Sequence, residues 1–179
     1  DNYIHKLLIC KTGNLVVTNR NGIYISPDQG KTWSEPNHGQ KFPSILSFTA
    51  DGDSILYAGT MKGVLRSSNS GMKWVSTGSG LPKDVMVTAI AVTRNHTVIA
   101  GTREKGIYRS FDRGAQWQQT AEELPDTMFI NSIVTDSNGN CFSSSGNGVV
   151  LLSRDDGVSW TGVGTGLPSD SIYSLAISD

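Results

Sequence analysis

Only two cysteines and three histidines occur among the 179 residues, so neither a disulfide-stapled scaffold nor a zinc site accounts for this chain. His5, His38 and His96 stand far apart without metal-ligand spacing, and Cys10 and Cys141 read as buried free thiols. An excess of one charge is missing too. With 15 basic against 16 acidic residues and a net charge of -1, the sequence lacks the electrostatic footprint of a nucleic-acid or anionic-membrane partner. No apolar run approaches the ~20 residues that cross a bilayer, and no basic-then-apolar leader opens the sequence at Asp1. A glycine-rich phosphate loop ending in Lys and Ser or Thr is absent, and no segment has the periodicity of a helix. At 19.2 kDa the chain is nevertheless large enough for one well-buried domain.

What is present is repetition. Four octapeptides align without gaps: Ser26-Pro-Asp-Gln-Gly-Lys-Thr-Trp33, Ser67-Ser-Asn-Ser-Gly-Met-Lys-Trp74, Ser110-Phe-Asp-Arg-Gly-Ala-Gln-Trp117 and Ser153-Arg-Asp-Asp-Gly-Val-Ser-Trp160. Their serines follow one another at intervals of 41, 43 and 43 residues, the period of a four-stranded propeller blade. Around each octapeptide, short β-branched and apolar runs are bounded by Gly, Asn and Asp. In the third unit they predict strands A to D at Val87–Val92, Thr97–Ala100, Gly106–Arg109 and Trp117–Thr120. Equivalent A strands are expected at Ile4–Ile9, Ile45–Thr49, Ile130–Thr135 and Ile172–Ile177. Tight A–B turns are expected at Lys11-Thr12-Gly13, Asp51-Gly52, Arg94-Asn95-His96 and Asn138-Gly139. The fold class that follows is all-β: a β-propeller of four blades, each of four antiparallel strands, plus an extra A-type strand at the C-terminus. Approximate repeat limits are 3–43, 44–86, 87–129 and 130–171, with an orphan strand at 172–178.

The octapeptide explains itself chemically. The side chains of Asp28, Asn69, Asp112 and Asp155 are expected to accept a backbone N–H two residues on, as in an Asx turn. Gly30, Gly71, Gly114 and Gly157 supply the positive φ such a turn needs. Ser26, Ser67, Ser110 and Ser153 cross-link it, and Trp33, Trp74, Trp117 and Trp160 close it by packing on the sheet. Burying ~150–250 Å² per ring stabilises each repeat by roughly 4–6 kcal/mol. No turn brings more than one carboxylate except the fourth, which adds Asp156, so no metal and no cofactor are expected there.

The pattern Ser-x-Asp-x-Gly-x-x-Trp resembles the Asp-box, or BNR, repeat of sialidase-like propellers, and the resemblance spans essentially the whole chain. That repeat also occurs in xyloglucan-degrading endoglucanases, sortilin-type receptor domains and photosystem assembly factors, so it implies a fold before a function. It also implies an extracellular or periplasmic setting. In that family the boxes lie at C–D turns, on the face away from the ligand. The Leu81-Pro82, Leu124-Pro125 and Leu167-Pro168 steps, which proline directs into the next A strand, resemble periplasmic sensor propellers of two-component systems as well.

In an up-and-down blade the B–C and D–A loops share the face opposite the boxes, and the candidate residues lie there. Ligand-binding candidates are Arg20, Lys62, Arg103 and Lys105. Carboxylates that could act in pairs on a glycoside are Asp84, Glu104, Glu123, Asp126 and Asp170. The arginine-rich carboxylate grip of a sialidase is not evident, and the first-blade Arg-Ile-Pro motif of that family is absent. Asn95-His96-Thr97 forms a lone glycosylation sequon on an exposed turn.

The sequence therefore points to a non-catalytic propeller scaffold that binds a glycan or protein through its B–C and D–A loops. A glycoside hydrolase and a periplasmic sensor propeller are the alternatives. An innermost strand without its sheet is unstable alone. The phase thus suggests a piece of a larger propeller, an engineered multi-blade unit, a closed four-bladed ring, or two chains joined head to tail.

Overall fold

The computed structural model describes residues 4, 6–19, 22–120, 128–164, 166, 167 and 170–177, without the side chain of residue 38. Four antiparallel sheets follow one another along the chain. The first comprises β1 (Lys6–Ile9), β2 (Leu15–Asn19) and β3 (Gly22–Ser26). The second holds β4 (Ile45–Asp51), β5 (Ile55–Thr60), β6 (Gly63–Ser67) and β7 (Trp74–Thr77). The third holds β8 (Val87–Val92), β9 (Val98–Thr102), β10 (Ile107–Ser110) and β11 (Gln118–Gln119). The fourth holds β12 (Ile130–Thr135), β13 (Cys141–Ser145), β14 (Val150–Ser153) and β15 (Thr161–Val163). Strand order within each sheet is the order in sequence, as an up-and-down blade requires. The first strands of the blades stand side by side and surround a central cavity of about 240 Å³ with Lys6, Leu46, Thr88, Asn131 and Ser174 on its wall. The molecule is an all-β propeller.

Three features differ from the sequence expectation. The fourth strand of the first blade is reduced to one bridge between Ile25 and Ser34, because Pro36, which has no N–H to offer a ladder, opens a 3-10 turn over Pro36–Gly39. No helical turn was expected there. In the third blade Trp117 leaves the outer strand, since its N–H is donated across to Ser79 O of the preceding blade at 2.8 Å. The expected fifth A strand forms no ladder among residues 171–177, yet the segment is tied along β12. Asn131 Nδ2 donates to Ile172 O at 3.0 Å, and Leu175 N–H donates to Ser132 Oγ at 3.3 Å.

Among the described residues, the buried apolar clusters lie between blades, not within one. One cluster joins Cys10, Val16, Ile23 and Ile25 to Ile45, Leu56, Leu65 and Trp74. A second joins Tyr57 and Val64 to Val87, Val98, Tyr108 and Trp117, and a third joins Ile99 and Ile107 to Ile130, Cys141, Leu151 and Trp160. Side chains alternate faces along a strand, so each inner blade feeds both neighbours. This two-sided burial is why the A and B strands read as continuous apolar runs. Close approach at the joints requires glycine in strand B. A Cβ on Gly101 would fall 2.2 Å from Ile130 Cγ2, and one on Gly59 would fall 2.6 Å from Val87 O. Both cysteines are free and buried, and burial pushes the Cys141 thiol up to about 12.

Candidate functional site

The boxes form as cross-linked turns, with one correction to the expected bonding. The serine hydroxyl donates to the Asx oxygen at 2.8 Å for Ser26 and Asp28, 3.0 Å for Ser67 and Asn69, 2.7 Å for Ser110 and Asp112, and 2.8 Å for Ser153 and Asp155. The same hydroxyl accepts the N–H of Gly30, Gly71, Gly114 or Gly157. The Asx oxygen accepts from the residue four positions on, not two: Thr32, Lys73, Gln116 and Ser159 donate at 2.8–2.9 Å. Two successive positive-φ residues make that reach possible, for example Arg113 at 59° and Gly114 at 88°. Donors crowd the carboxylates and hold them ionised. The Thr32 hydroxyl, followed by the Thr32 N–H and Ser26, pulls Asp28 down to about 2. The Gln116 N–H and Ser110 lower Asp112. Asp155 is also lowered: desolvation opposes the shift, and the Ser159 and Ser153 bonds outweigh it.

Bonds between blades fix which loops share the box face. Asn14 in the first A–B turn donates to Ser70 O, and Asn95 in the third donates to Asp156 Oδ2 at 2.6 Å. His96 and Asp51 from neighbouring A–B turns pair through Nδ1 and Oδ1. A–B turns and boxes therefore occupy one face and are tied to each other, while the B–C and D–A loops lie opposite.

On that opposite face the segments leading into β4, β8 and β12 are wedged against B–C turns. Met61 N–H donates to Ser44 O, Arg103 N–H to Met86 O at 2.9 Å and Gly146 N–H to Phe129 O at 2.8 Å. The 82–86 segment is also gripped from its other side, by Gly63 N–H donating to Val85 O at 2.7 Å. The turns themselves are closed by buried hydroxyls that the sequence reading missed. Thr60 Oγ1 accepts from Lys62 N–H, Thr102 Oγ1 accepts from Lys105 N–H, and Ser145 Oγ accepts from Val149 N–H. A Thr or Ser as the last residue of strand B, before a glycine-containing turn, is the signal that marks them.

This scaffold brings four of the expected candidates together. Asp84, Arg103, Glu104 and Lys105 line a cleft of about 390 Å³ with Pro82, Lys83, Val85 and Met86. Asp84 and Glu104 have φ of 54° and 73°, a left-handed conformation that holds each loop in one sharp shape. Arg103 lies 5.2 Å above the Phe129 ring and pairs with Glu104, Nε to Oε1 at 3.9 Å. Lys62 is exposed on the neighbouring turn, beside the 82–86 segment but lining a different pocket with Lys41, Phe42 and Lys73. Asp170 is exposed at the fourth blade, away from this cleft. Arg20, Glu123 and Asp126 lie outside the described residues, as do Tyr3, His5, Leu124 and Pro125. Tyr57 and Tyr108 are buried in a joint, whereas Tyr173 is 78% exposed.

Among the described residues no group of three His, Cys, Asp or Glu side chains is placed to hold a metal ion. No described helix is long and apolar enough to cross a membrane.

No family model matches the chain, and a search of curated proteins finds no match. Solved structures do resemble it. The xyloglucanase of family GH74 from Xanthomonas campestris superposes with a TM-score of 0.72 at 21% identity, over 93% of this chain and 31% of that one. The extracellular domain of a one-component system from B. thetaiotaomicron gives 0.70 at 18%, over 96% and 24%. YCF48 bound to D1 peptide gives 0.59 at 15%, over 87% and 50%. The chain spans about a quarter to a third of the length of the first two, and at these identities the likeness is one of fold: the protein is a β-propeller.

Proposed function

We propose that the chain is a non-catalytic recognition module that binds a protein segment in the cleft between the 82–86 and 103–105 loops. The supporting observation is the cleft's rim, on which Lys83, Asp84, Arg103, Glu104 and Lys105 are all exposed and alternate in sign. Charges presented on stiff loops at a wet rim suit the mixed polar groups of a polypeptide and add specificity and on-rate. A carbohydrate ring is held best on an open aromatic face, and the Phe129 ring below this rim is covered by the Arg103 guanidinium. Hydrolysis of a glycoside uses one carboxyl held protonated in a water-excluded pocket, whereas the Glu104 side chain is 60% exposed. That a YCF48 structure holds a peptide supports the reading only as a precedent of fold.

The test begins with peptides selected from a displayed random library on the wild-type protein, their affinities measured by fluorescence anisotropy. Arg103→Ala and Lys105→Ala are expected to weaken binding at least ~10-fold, while Lys31→Ala on the box face leaves it unchanged. Xyloglucan and a panel of aryl glycosides are assayed in parallel. Turnover by the wild type that disappears in Asp84→Ala or Glu104→Ala would overturn the binding-module reading in favour of a hydrolase.

A further inference from the structure

The joint between the second and third blades has a socket and a plug. In the second blade the segment Gly78–Leu81 forms a tight turn, closed by Leu81 N–H donating to Gly78 O at 2.9 Å, with φ of 145° at Gly78 and 91° at Gly80. The Asp box of the third blade plugs into it. Ser79 O accepts the Trp117 N–H at 2.8 Å, Leu81 packs in the cluster that contains Trp117, and a Cβ on Gly80 would fall 2.1 Å from Trp117 O. Glycine is required there because the neighbouring blade sits directly on the backbone.

The described residues of the same kind of turn recur after the last strand, uncovered. Gly164, Gly166 and Leu167 repeat the residue pattern of Gly78, Gly80 and Leu81. They also repeat its geometry, with Leu167 N–H donating to Gly164 O at 3.1 Å and φ of 100° and 94° at the glycines. Yet Gly166 faces open space, and Leu167 is 49% exposed. At the other end of the molecule stands a plug without a socket. The first box is fully bonded, Ser26 to Asp28 and Gly30 to Ser26, but Trp33 is 43% exposed where Trp74, Trp117 and Trp160 are 1%, 3% and 8% exposed. Ile4, Leu7 and Ile9, at 64%, 58% and 69%, extend the same uncovered face.

We infer that this face binds a second copy of the chain: the Trp33 box of one copy seats against Gly164, Gly166 and Leu167 of another and continues between molecules the joint made by the second and third blades. Both halves of an interface already used within the chain are present and unoccupied on its opposite faces, so a second copy supplies the matching surface at each end. The contact is head to tail, and copies add in one direction until a ring closes. The slot beside β12 can hold a single innermost strand. Ile172, Leu175 and Ile177 repeat the spacing of Ile4, Leu7 and Ile9. In the pair β1 takes that slot, because it is laddered to β2 at four residue pairs, and residues 171–177 give way.

Sedimentation and light scattering on the 179-residue protein, checked for folding by circular dichroism, test this directly. The wild type is expected to form concentration-dependent species of at least twice the 19.2 kDa chain mass. Trp33→Ala and Leu167→Asp, both at exposed positions, should each be folded and monomeric, the affinity falling by at least ~10-fold. An equimolar mixture of the two variants retains one good plug and one good socket and should form a complex of one copy of each. A chain ending at Asp170 should associate at least as tightly as the wild type, and weaker association would overturn the displacement of 171–177. A wild type that stays monomeric at its highest soluble concentration would overturn the proposal, leaving these faces to blades outside this sequence. Association that survives in both single variants, or a mixture that stays monomeric, would overturn it as well.

Discussion

A box carboxylate does two jobs that an amide can share only in part. Asn69 accepts the Ser67 hydroxyl and the Lys73 N–H at 3.0 and 2.8 Å, so the geometry survives without charge. The Asp boxes add charge-assisted bonds and, with them, a dependence on pH. Carboxyls lowered in the folded state stabilise it above their ordinary value of 3.8, and that contribution is lost as pH falls toward the folded value, about 2 for Asp28. Asp112→Asn is therefore expected to cost less than ~1 kcal/mol at neutral pH, and the deficit should shrink between pH 4 and pH 2. Urea midpoints of wild type and variant across that range measure it; an equal deficit at both ends would show that charge is irrelevant to the turn. The residue types and the positive φ at glycine were legible from sequence. The four-residue reach of the Asx oxygen was not, because it depends on Gln29, Ser70, Arg113 and Asp156 also adopting positive φ, for which Gln, Ser and Arg are no signal.

At the level of strands, sequence located A strands better than D strands. The predicted Val87–Val92 and Ile130–Thr135 are β8 and β12 as found, because both faces of an innermost strand are buried and the apolar run is continuous. Outer strands shorten where a neighbouring blade or a proline takes their hydrogen bonds, which no local pattern announces. The inner strands also share an irregularity, a register shift after Ile45, Val87 and Ile130. It turns Leu46, Thr88 and Asn131 toward the central cavity and lets Thr88 bond Ile130 of the next blade and Asn131 bond Ile172 of the C-terminal segment. Gly101 sits opposite that shift, paired with Ala89. Gly101→Ala should destabilise the protein by about 1–3 kcal/mol through overpacking against Ile130. Gly139→Ala, which meets nothing within 4 Å but has φ of 87°, should cost about 1 kcal/mol from backbone alone. Thermal melts of the two variants, read with Ile130→Ala in the Gly101→Ala background, separate crowding from strain: partial rescue is expected only for the crowded site.

Across the whole molecule, stability resides in three joints, so the array behaves as nearest neighbours in a row. Amide exchange should be slowest in β5, β8, β9, β12 and β13, which face a joint, and fastest in residues 171–177, which form no ladder; uniform protection would contradict a joint-based core. The octapeptide could not foretell that Trp33 is uncovered, since it reads like its three copies and only the neighbouring blade decides burial. The grouping of Asp84 with Arg103, Glu104 and Lys105 was legible, because blade topology alone puts those loops on one face. That they meet in one cleft, with Asp170 elsewhere, required the wedges Val85 O to Gly63 and Met86 O to Arg103.

Those wedges also make the 82–86 segment a shared hinge pin. It is at once the wall of the cleft and the key that locks the second blade to the third, so a ligand gripping it tightens the blade joint in the same act. Occupancy of the cleft should then be legible at a distance, as slowed exchange at Trp117 and a raised melting temperature, and a ligand for this protein can be sought by its effect on the rigidity of that joint before its chemistry is known.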